Sequence, residues 1–415
     1  MNFHSDHRAF ENEEFLPVPI GLPTLAKMAF DGCDLAPVWN HLVHRVTDSP
    51  DDAAALIDLS IIAHLQGRRD DRIQLQREAL KLQRVYRQPP AIPAMAPLRL
   101  LAFMAPGDFM ANIPIEFLLE NTSIRLDMIY VVPGLPLPKI PDHDLALVAT
   151  AESEENQTVL REIGYIVRSW PRPIINAPDR IARLTRDGTW ELLKSASGVV
   201  IPMNARVDRK ALLQIGVGDV LIEDMLPENE FPIIARPYDS HAGKGLRKLD
   251  DRVAIDRYLQ DQPEREFYIA PFVDYRSADG LFRKYRIVLI GGRPYASHMA
   301  ISSEWMIHYL NAGMTASAWK RAEEARFMAD FDQDFAVRHK IALRAIAERM
   351  GLEYIPFDCG ETPKGELLIF ESGTNMIVHS MDSIELFPYK RPQMEKIFSA
   401  FEAMLRNACA HSLVT

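Results

Sequence analysis

The 415-residue chain is 47% hydrophobic and 25% charged, a composition typical of a globular protein with two to three domains. Its 57 Asp and Glu residues outnumber its 47 Lys and Arg residues, and no basic cluster is interleaved with aromatic residues, so we expect no nucleic-acid partner. The three cysteines form no CxxC pair, and neither a secretory signal nor a membrane-spanning apolar stretch is present. We therefore expect a cytoplasmic protein with no membrane partner.

The first part of the chain predicts helices between about residues 22 and 88. Apolar residues recur at helical spacing from Ala53 to Ala63 and again from Ile73 to Leu82, and Gly67 separates the two runs. Such a pair resembles one tetratricopeptide unit, and a helical cap fits the same pattern. We assign residues 1–92 to a helical N-terminal region.

A small α/β domain is predicted next. The segment QPPAIPAMAP has four prolines in ten residues, which neither a helix nor a central strand tolerates. Short apolar runs at 98–105, 126–132 and 145–151 suit buried strands and alternate with helical stretches. We place this domain at residues 93–175.

From Pro232 onward the pattern predicts an α+β nucleotide-binding fold. It reads as a strand, a glycine loop, a helix, the run FYIAPFV, a hairpin around Gly291–Gly292, a long helix over 332–350, and a second hairpin at 354–371. The glycine loop, SHAGKG, lets backbone N–H groups approach phosphate oxygens. It is not a Walker A loop, because Lys244 is followed by Gly245, where that motif requires Ser or Thr. An ordinary turn fits the loop equally well.

The second hairpin carries two carboxylates. If its turn is Lys364–Gly365, Asp358 and Glu371 lie directly opposite each other with Cβ atoms about 5 Å apart. Like charges so placed repel unless a cation lies between them or one is protonated. A magnesium ion, which proteins commonly bind through one or two carboxylates, would serve as that cation. The alternative to a metal site is that both carboxylates are simply exposed to solvent.

The order of these parts, from about residue 174 to 380, resembles the ATP-grasp superfamily, nearest its RimK-type and glutathione-synthetase-like members. The stretches around INAPDRIARLTRDGTWELL and IIARPYDSHAGKGL resemble those that supply two phosphate-binding lysines, here Arg186 and Arg236. Arginine keeps the charge but adds a planar fork. The resemblance implies that the loop residues bind phosphate: Ser240, Gly243, Lys244 and Gly245.

FYIAPFVDY resembles the hinge strand against which such enzymes hold adenine. The resemblance implies an acceptor carbonyl at Pro271 and a donor N–H at Val273, with Phe272 between them. The ribose-binding acid stays open, since the strict position is Ser277 while Asp274 and Asp279 lie nearby. Of these, Asp274 is the candidate that we retain.

RKYRIVLIGGRPYASHM resembles the hairpin with the arginine of the phosphoryl-transfer site, which implies that role for Arg286. WMIHYLNAGM resembles the acceptor-site segment and suggests Asn311, for which helix capping is an equal alternative. IFESGTNMIVH resembles the metal-binding strand end, but Asn375 comes two residues late. Either the loop bulges so that Asn375 reaches the metal, or Asp358 and Glu371 hold it with water.

The resemblance implies an ATP-grasp domain at 176–415, with lobes at 176–265 and 266–415, that binds ATP and Mg²⁺, with Mn²⁺ as an alternative. It implies transfer of the γ-phosphoryl group to a small-molecule or peptide carboxylate and attack by an amine on the acyl phosphate. A homodimer is compatible with this resemblance. Two alternatives stay open: a ligase that docks a protein target through its N-terminal helices, and a nucleotide-binding protein without turnover.

Overall fold

The computed structural model describes residues 18–227, 230–238, 240 and 243–412. The helices are α1 (Leu22–Phe30), α2 (Ala36–Asp48), α3 (Ala53–Leu65), α4 (Arg69–Leu82), α5 (Ile115–Leu118), α6 (Gln157–Val167), α7 (Pro178–Ile181), α8 (Arg186–Leu193), α9 (Arg209–Val217), α10 (Arg252–Asp261), α11 (Ala318–Asp330), α12 (Phe335–Arg338), α13 (Lys340–Met350) and α14 (Lys390–Ser412). The strands are β1 (Val85–Gln88), β2 (Leu98–Met104), β3 (Ile124–Tyr130), β4 (Leu145–Val148), β5 (Ile174–Ile175), β6 (Val199–Val200), β7 (Ala205–Asp208), β8 (Ile233–Pro237), β9 (Arg247–Leu249), β10 (Glu266–Pro271), β11 (Phe282–Ile290), β12 (Arg293–Ser302), β13 (Tyr354–Glu361) and β14 (Leu367–Ser372). Along these ranges, no helix combines the length and the apolar character that crossing a bilayer requires.

The N-terminal helices α1–α4 pack around α3. Asp52 caps α3 by accepting a hydrogen bond from the Ala55 N–H at 2.9 Å. Asp58 of the same helix accepts hydrogen bonds from the backbone of Ile20 and Gly21, which ties the entry of α1 to α3. One side of α3 contacts the other helices, and its Ala53, Leu56 and Ile57 contact the first sheet. The predicted helical region is therefore present and rests on the domain that follows.

The first sheet has strand order β1-β3-β2-β4-β5. Strands β2 to β5 run parallel, as expected for the buried apolar runs, and β1 pairs antiparallel with β3. Since β1 lies within residues 1–92, this sheet includes a segment that the sequence assigned to the helical region. The partner that makes β1 a strand is distant in sequence, which local periodicity does not show.

The second sheet has order β7-β10-β8-β9, and all of its pairs are antiparallel. Its core is a cluster of apolar residues between Val207 and Ile269, packed under α9 and α10. We call residues 205–271 the small lobe. It contains β10, which the sequence placed with the following lobe.

The third sheet has order β12-β11-β13-β14-β6 and contains both predicted hairpins. Its inner residues share two cores with the first sheet. Asn176 joins the two sheets, because its side chain donates to the Tyr354 carbonyl at 2.9 Å and accepts from the Tyr354 N–H at 3.0 Å. The C-terminal helix α14 covers the shared core with Ile397 and Phe401, which are fully buried.

The fold class is as predicted: an α+β fold with a small α/β domain before it and helices at the N-terminus. The single helix predicted over 332–350 is wrong, since α12 and α13 are separated at His339. The ring of His339 lies 2.7 Å from a Glu361 carboxylate oxygen on β13. This contact with a distant strand explains an interruption that helical spacing alone does not indicate.

Candidate active site

The candidate site lies between the third sheet and the small lobe, where charged side chains from five elements approach one another. Arg186 begins α8, Arg236 lies on β8, and the third sheet contributes the rest: Lys284 and Arg286 on β11, Asp358 on β13 and Glu371 on β14. Arg186 Nη2 is 3.8 Å from Glu371 Oε2, and Arg286 is bonded to Asp358. The site therefore contains four cationic side chains and two carboxylates.

The hairpin pairs Asp358 directly with Glu371, as predicted. The turn itself differs from the prediction. Glu361 pairs with Leu367, so the turn is one residue longer than the predicted Lys364–Gly365 loop. A bulge after Asp358 then shifts the register back by one residue. The longer turn and the bulge, neither of which the sequence predicted, offset each other. Asp358 and Glu371 therefore remain paired.

Asp358 is fully buried between two cations. Arg286 donates from Nε to Oδ1 at 2.7 Å and from Nη2 to Oδ2 at 3.0 Å, and Lys284 Nζ is 2.6 Å from Oδ2. Burial opposes ionisation, but the charges of Arg286 and Lys284 outweigh it and hold the pKa of Asp358 well below its usual range. The charge of Asp358 is thus compensated by two side chains of the protein itself.

The three predicted metal ligands do not come together as a metal site. Both oxygens of Asp358 accept from Arg286 or Lys284, and the Asn375 amide donates to the Met110 carbonyl at 2.7 Å. Throughout the residues that the structure describes, no three His, Cys, Asp or Glu side chains are grouped as metal ligands would be. The structure therefore does not bring Asp358, Glu371 and Asn375 together as one ligand set, and binding of Mg²⁺ or Mn²⁺ at the Asp358–Glu371 pair stays a prediction.

Arg186 and Arg236 lie near each other on one side of the site. Burial, and then the charge of Arg186, lower the pKa of Arg236 to about 10, while Glu371 opposes this shift. Arg236 also donates two hydrogen bonds to Ser240, one from Nε to the hydroxyl oxygen at 3.2 Å and one from Nη2 to the backbone carbonyl. Two guanidinium groups that repel each other gain from an anion placed between them. The predicted phosphate contacts of Arg186, Arg236 and Ser240 are compatible with this geometry.

The glycine loop turns sharply next to Ser240. Gly243 and Gly245 both have positive φ angles, 73° and 68°. A Cβ on Gly245 would lie 2.6 Å from Pro237 Cδ, so the backbone passes closer to β8 than any other residue allows. Lys244 lies exposed between them. This conformation is the one in which consecutive N–H groups can face an anion.

The predicted adenine hinge follows β10. The Phe272 N–H donates to the Pro232 carbonyl at 3.0 Å, and Pro271 pairs with Ile233. The Phe272 ring meets Trp305 edge to face at 5.6 Å, and Lys248 Nζ is 4.7 Å from the ring centroid. Val273 packs against the apolar cluster of this region.

Two predicted residues make local contacts. Asp274 accepts from the Arg276 N–H at 3.0 Å and closes its own turn. Asn311 accepts from the His308 N–H at 3.1 Å, which is the capping role that the sequence left as the alternative. Both contacts lie within the residue's own turn.

Sequence reasoning missed three residues of this region: Lys284, His298 and Glu152. Lys284 and Arg286 are two apart on one strand and so share a face, a signal that the sequence contains. His298 pairs with Arg286 across the sheet, and burial followed by the Arg286 charge places its pKa well below the usual range. Glu152 follows β4, at the carboxyl edge of a parallel sheet where ligands often bind, and burial raises its pKa to about 7 against the opposing charge of Arg186.

Comparison with known proteins gives distant likenesses in structure. No family model matches the sequence, and no curated protein matches it. The chain is similar to the VanG D-Ala:D-Ser ligase from Enterococcus faecalis, with 12% identity, a TM-score of 0.45, and 75% of this chain and all of that chain covered. It is also similar to a RimK domain protein, ATP-grasp, from Sphaerobacter thermophilus, with 14% identity, a TM-score of 0.39, and 74% and 99% covered.

Proposed function

We propose that this protein is an ATP-dependent ligase that activates a carboxylate as an acyl phosphate and joins it to an amine. The observation that carries the proposal is the convergence of Arg186, Arg236 and Arg286 around one carboxylate. Glu371 lies close enough to Arg186 to form an ion pair, and its charge acts on both Arg236 and Arg286. A site with this excess of guanidinium groups, bordered by a glycine turn and a half-buried aromatic hinge, suits a nucleotide polyphosphate.

The side chains divide the work by position. Arg186, Arg236 and the turn at Gly243–Gly245 would hold the phosphates. Arg286 uses three N–H groups on Asp358 and on the Ile377 carbonyl, so two of its five donors stay available for the transferred group. Because Asp358 fixes the guanidinium, this charge is already oriented before the reaction starts.

In the proposed reaction a carboxylate oxygen attacks the γ-phosphorus of ATP, and the bond to ADP breaks. The amine then attacks the acyl carbon, phosphate leaves with the former carboxylate oxygen, and the nitrogen loses a proton. No covalent enzyme intermediate is needed. The protein's contribution is to position the reactants and to neutralise charge.

A nucleotide-binding protein without turnover is the second candidate. It is favoured by the arrangement at Asp358, whose oxygens are already bound to Arg286 and Lys284. Such a protein would bind ATP through Arg186 and Arg236 and release no ADP.

Hydroxylamine, which traps acyl phosphates as hydroxamates, distinguishes the two candidates. The full-length protein, ATP, a divalent-cation series and a panel of carboxylic acids should yield ADP and a hydroxamate in equal amounts. Arg186→Gln should weaken nucleotide binding about tenfold through loss of one charged contact, and Arg344→Gln, a change on an exposed helix surface, should not. Tight ATP binding without ADP release for any acid would reject the ligase and support the second candidate.

A further inference from the structure

A cavity separate from the charged cleft lies between α1 and the edge of the first sheet. Its volume is about 460 Å³, within the range of small-molecule sites. Met28, Leu119, Ile124 and Leu126 give it apolar walls. The space suits an organic group of several carbon atoms.

The cavity is also lined with hydrogen-bond acceptors. Glu116 of α5 is 9% exposed, and the only hydrogen bond that lowers its pKa comes from its own backbone. Gln88 contributes a buried side-chain oxygen that lacks a hydrogen-bond partner within the described ranges. Glu120 lines the same cavity and accepts from the Ser380 hydroxyl at 3.2 Å. These groups offer lone pairs and call for a donor, ideally a positively charged one.

The neighbouring cation does not meet that need. Lys27 lines the cavity, but its ammonium group lies 2.5 Å from Asp31 on the exposed side of α1. It acts on Glu120 through its charge, and Tyr130 is the other titratable group near Glu116. A buried carboxyl without an ion-pair partner is costly, so a ligand that supplies the missing charge gains affinity.

We propose that this cavity binds a primary ammonium group carried on an apolar stem, with Glu116 as the counter-ion and the Gln88 oxygen as a second acceptor. The apolar walls favour an organic ammonium over a hydrated metal ion, which needs oxygen ligands on several sides. The site is independent of the ligase proposal. It would exist whether or not the charged cleft turns over ATP.

The probe is n-hexylammonium chloride, with 1-hexanol as an uncharged molecule of the same length. Titration calorimetry of the full-length protein should show the ammonium binding at least about tenfold more tightly than the alcohol. Glu116→Gln should remove this difference and leave hexanol binding unchanged. Glu78→Gln, a change on the exposed face of α4, should have no effect on either ligand.

Two further measurements test the site even if Glu116→Gln fails to fold. Thr24→Arg places a guanidinium at an exposed position of the cavity wall, so we expect this variant to fold like the wild type. It should no longer bind the ammonium. Burial raises the pKa of Glu116 to about 7, so the affinity for the ammonium should fall as the pH drops below that value. Equal affinity in wild type and Glu116→Gln, or no saturable binding at millimolar concentration, would refute the site.

Discussion

At the scale of single residues, Arg286 and Lys284 contact the oxygens of Asp358, the carboxylate to which the sequence assigned a metal ion. The prediction that Asp358 and Glu371 are opposed is confirmed, but only because the longer turn and the bulge after Asp358 offset each other. What local sequence could not show is that Lys284 and Arg286 reach Asp358 from a strand more than 70 residues earlier, at hydrogen-bond distance. The compensating cation comes from tertiary structure, and no motif at the hairpin indicates it.

Asp358→Asn should therefore reduce stability as well as any activity. The change gives two mostly buried cations, whose side chains are 15% and 18% exposed, a neutral partner, and breaking an ion pair to a buried carboxylate in this way costs about 3 kcal/mol. Urea unfolding followed by circular dichroism would measure the loss. Glu371→Gln is the matched control, because its pair with Arg186 is long and its side chain is 44% exposed, so we expect a change below about 1 kcal/mol. Equal loss in both variants would mean that the Asp358 pairs contribute little.

At the scale of secondary-structure elements, Glu361 attaches the hairpin to the helices below it. It accepts from Arg338 at 2.9 and 3.0 Å, from His339 at 2.7 Å and from the Tyr285 hydroxyl at 3.2 Å. Burial would raise the pKa of Glu361, but the bonds from His339 and Arg338 prevail and lower it to about 2. The carboxylate thus links α12, α13 and β11 to the end of β13.

This pKa gives the link a defined pH dependence. A glutamate whose pKa is lowered from 4.5 to about 2 by folding adds stability that is complete above 4.5 and is lost as the pH falls towards 2. The shift corresponds to about 3 kcal/mol. The unfolding free energy of wild type minus that of Glu361→Gln should therefore shrink by about this amount between about pH 6 and pH 2. A constant difference would show that the carboxylate is not ionically held.

The elements themselves were largely predictable, whereas their pairings were less so. The parallel runs β2 to β4 and both hairpins follow from apolar patterning and turn residues. The two-residue strand β6 has no such pattern, and it is a strand only because β14 pairs with it in parallel. Likewise β1 depends on β3, and the interruption at His339 depends on β13. In each case a distant partner decides what the local sequence leaves open.

At the scale of the whole molecule, the apolar cores divide the chain unequally. The first and third sheets share two clusters, in which Leu101 and Ile287 are fully buried together. The small lobe has its own cluster, which includes Ile233 and Ile269. Because a small core gives less stability, we expect the small lobe to open more readily than the rest.

Native-state hydrogen exchange would test this division. Amides of β8 and β10 should exchange through openings of lower free energy than those of β2 and β11. Ile269→Ala and Leu101→Ala form a matched pair, since both side chains are fully buried. Ile269→Ala should speed exchange in the small lobe alone. If it speeds exchange equally in β2, the lobe is not a separate unit.

The sheet order also sets the sequence in which the protein can assemble during translation. Every strand of the small lobe lies between β6 and β11, so its core can close before most of the third sheet has been synthesised. The first sheet is made still earlier, yet the side chains of Ile397 and Phe401 that cover it belong to the last helix. A chain that stops before α14 would leave this apolar surface of the first sheet in water, and we expect such a fragment to aggregate on the ribosome rather than to accumulate as a shorter folded protein.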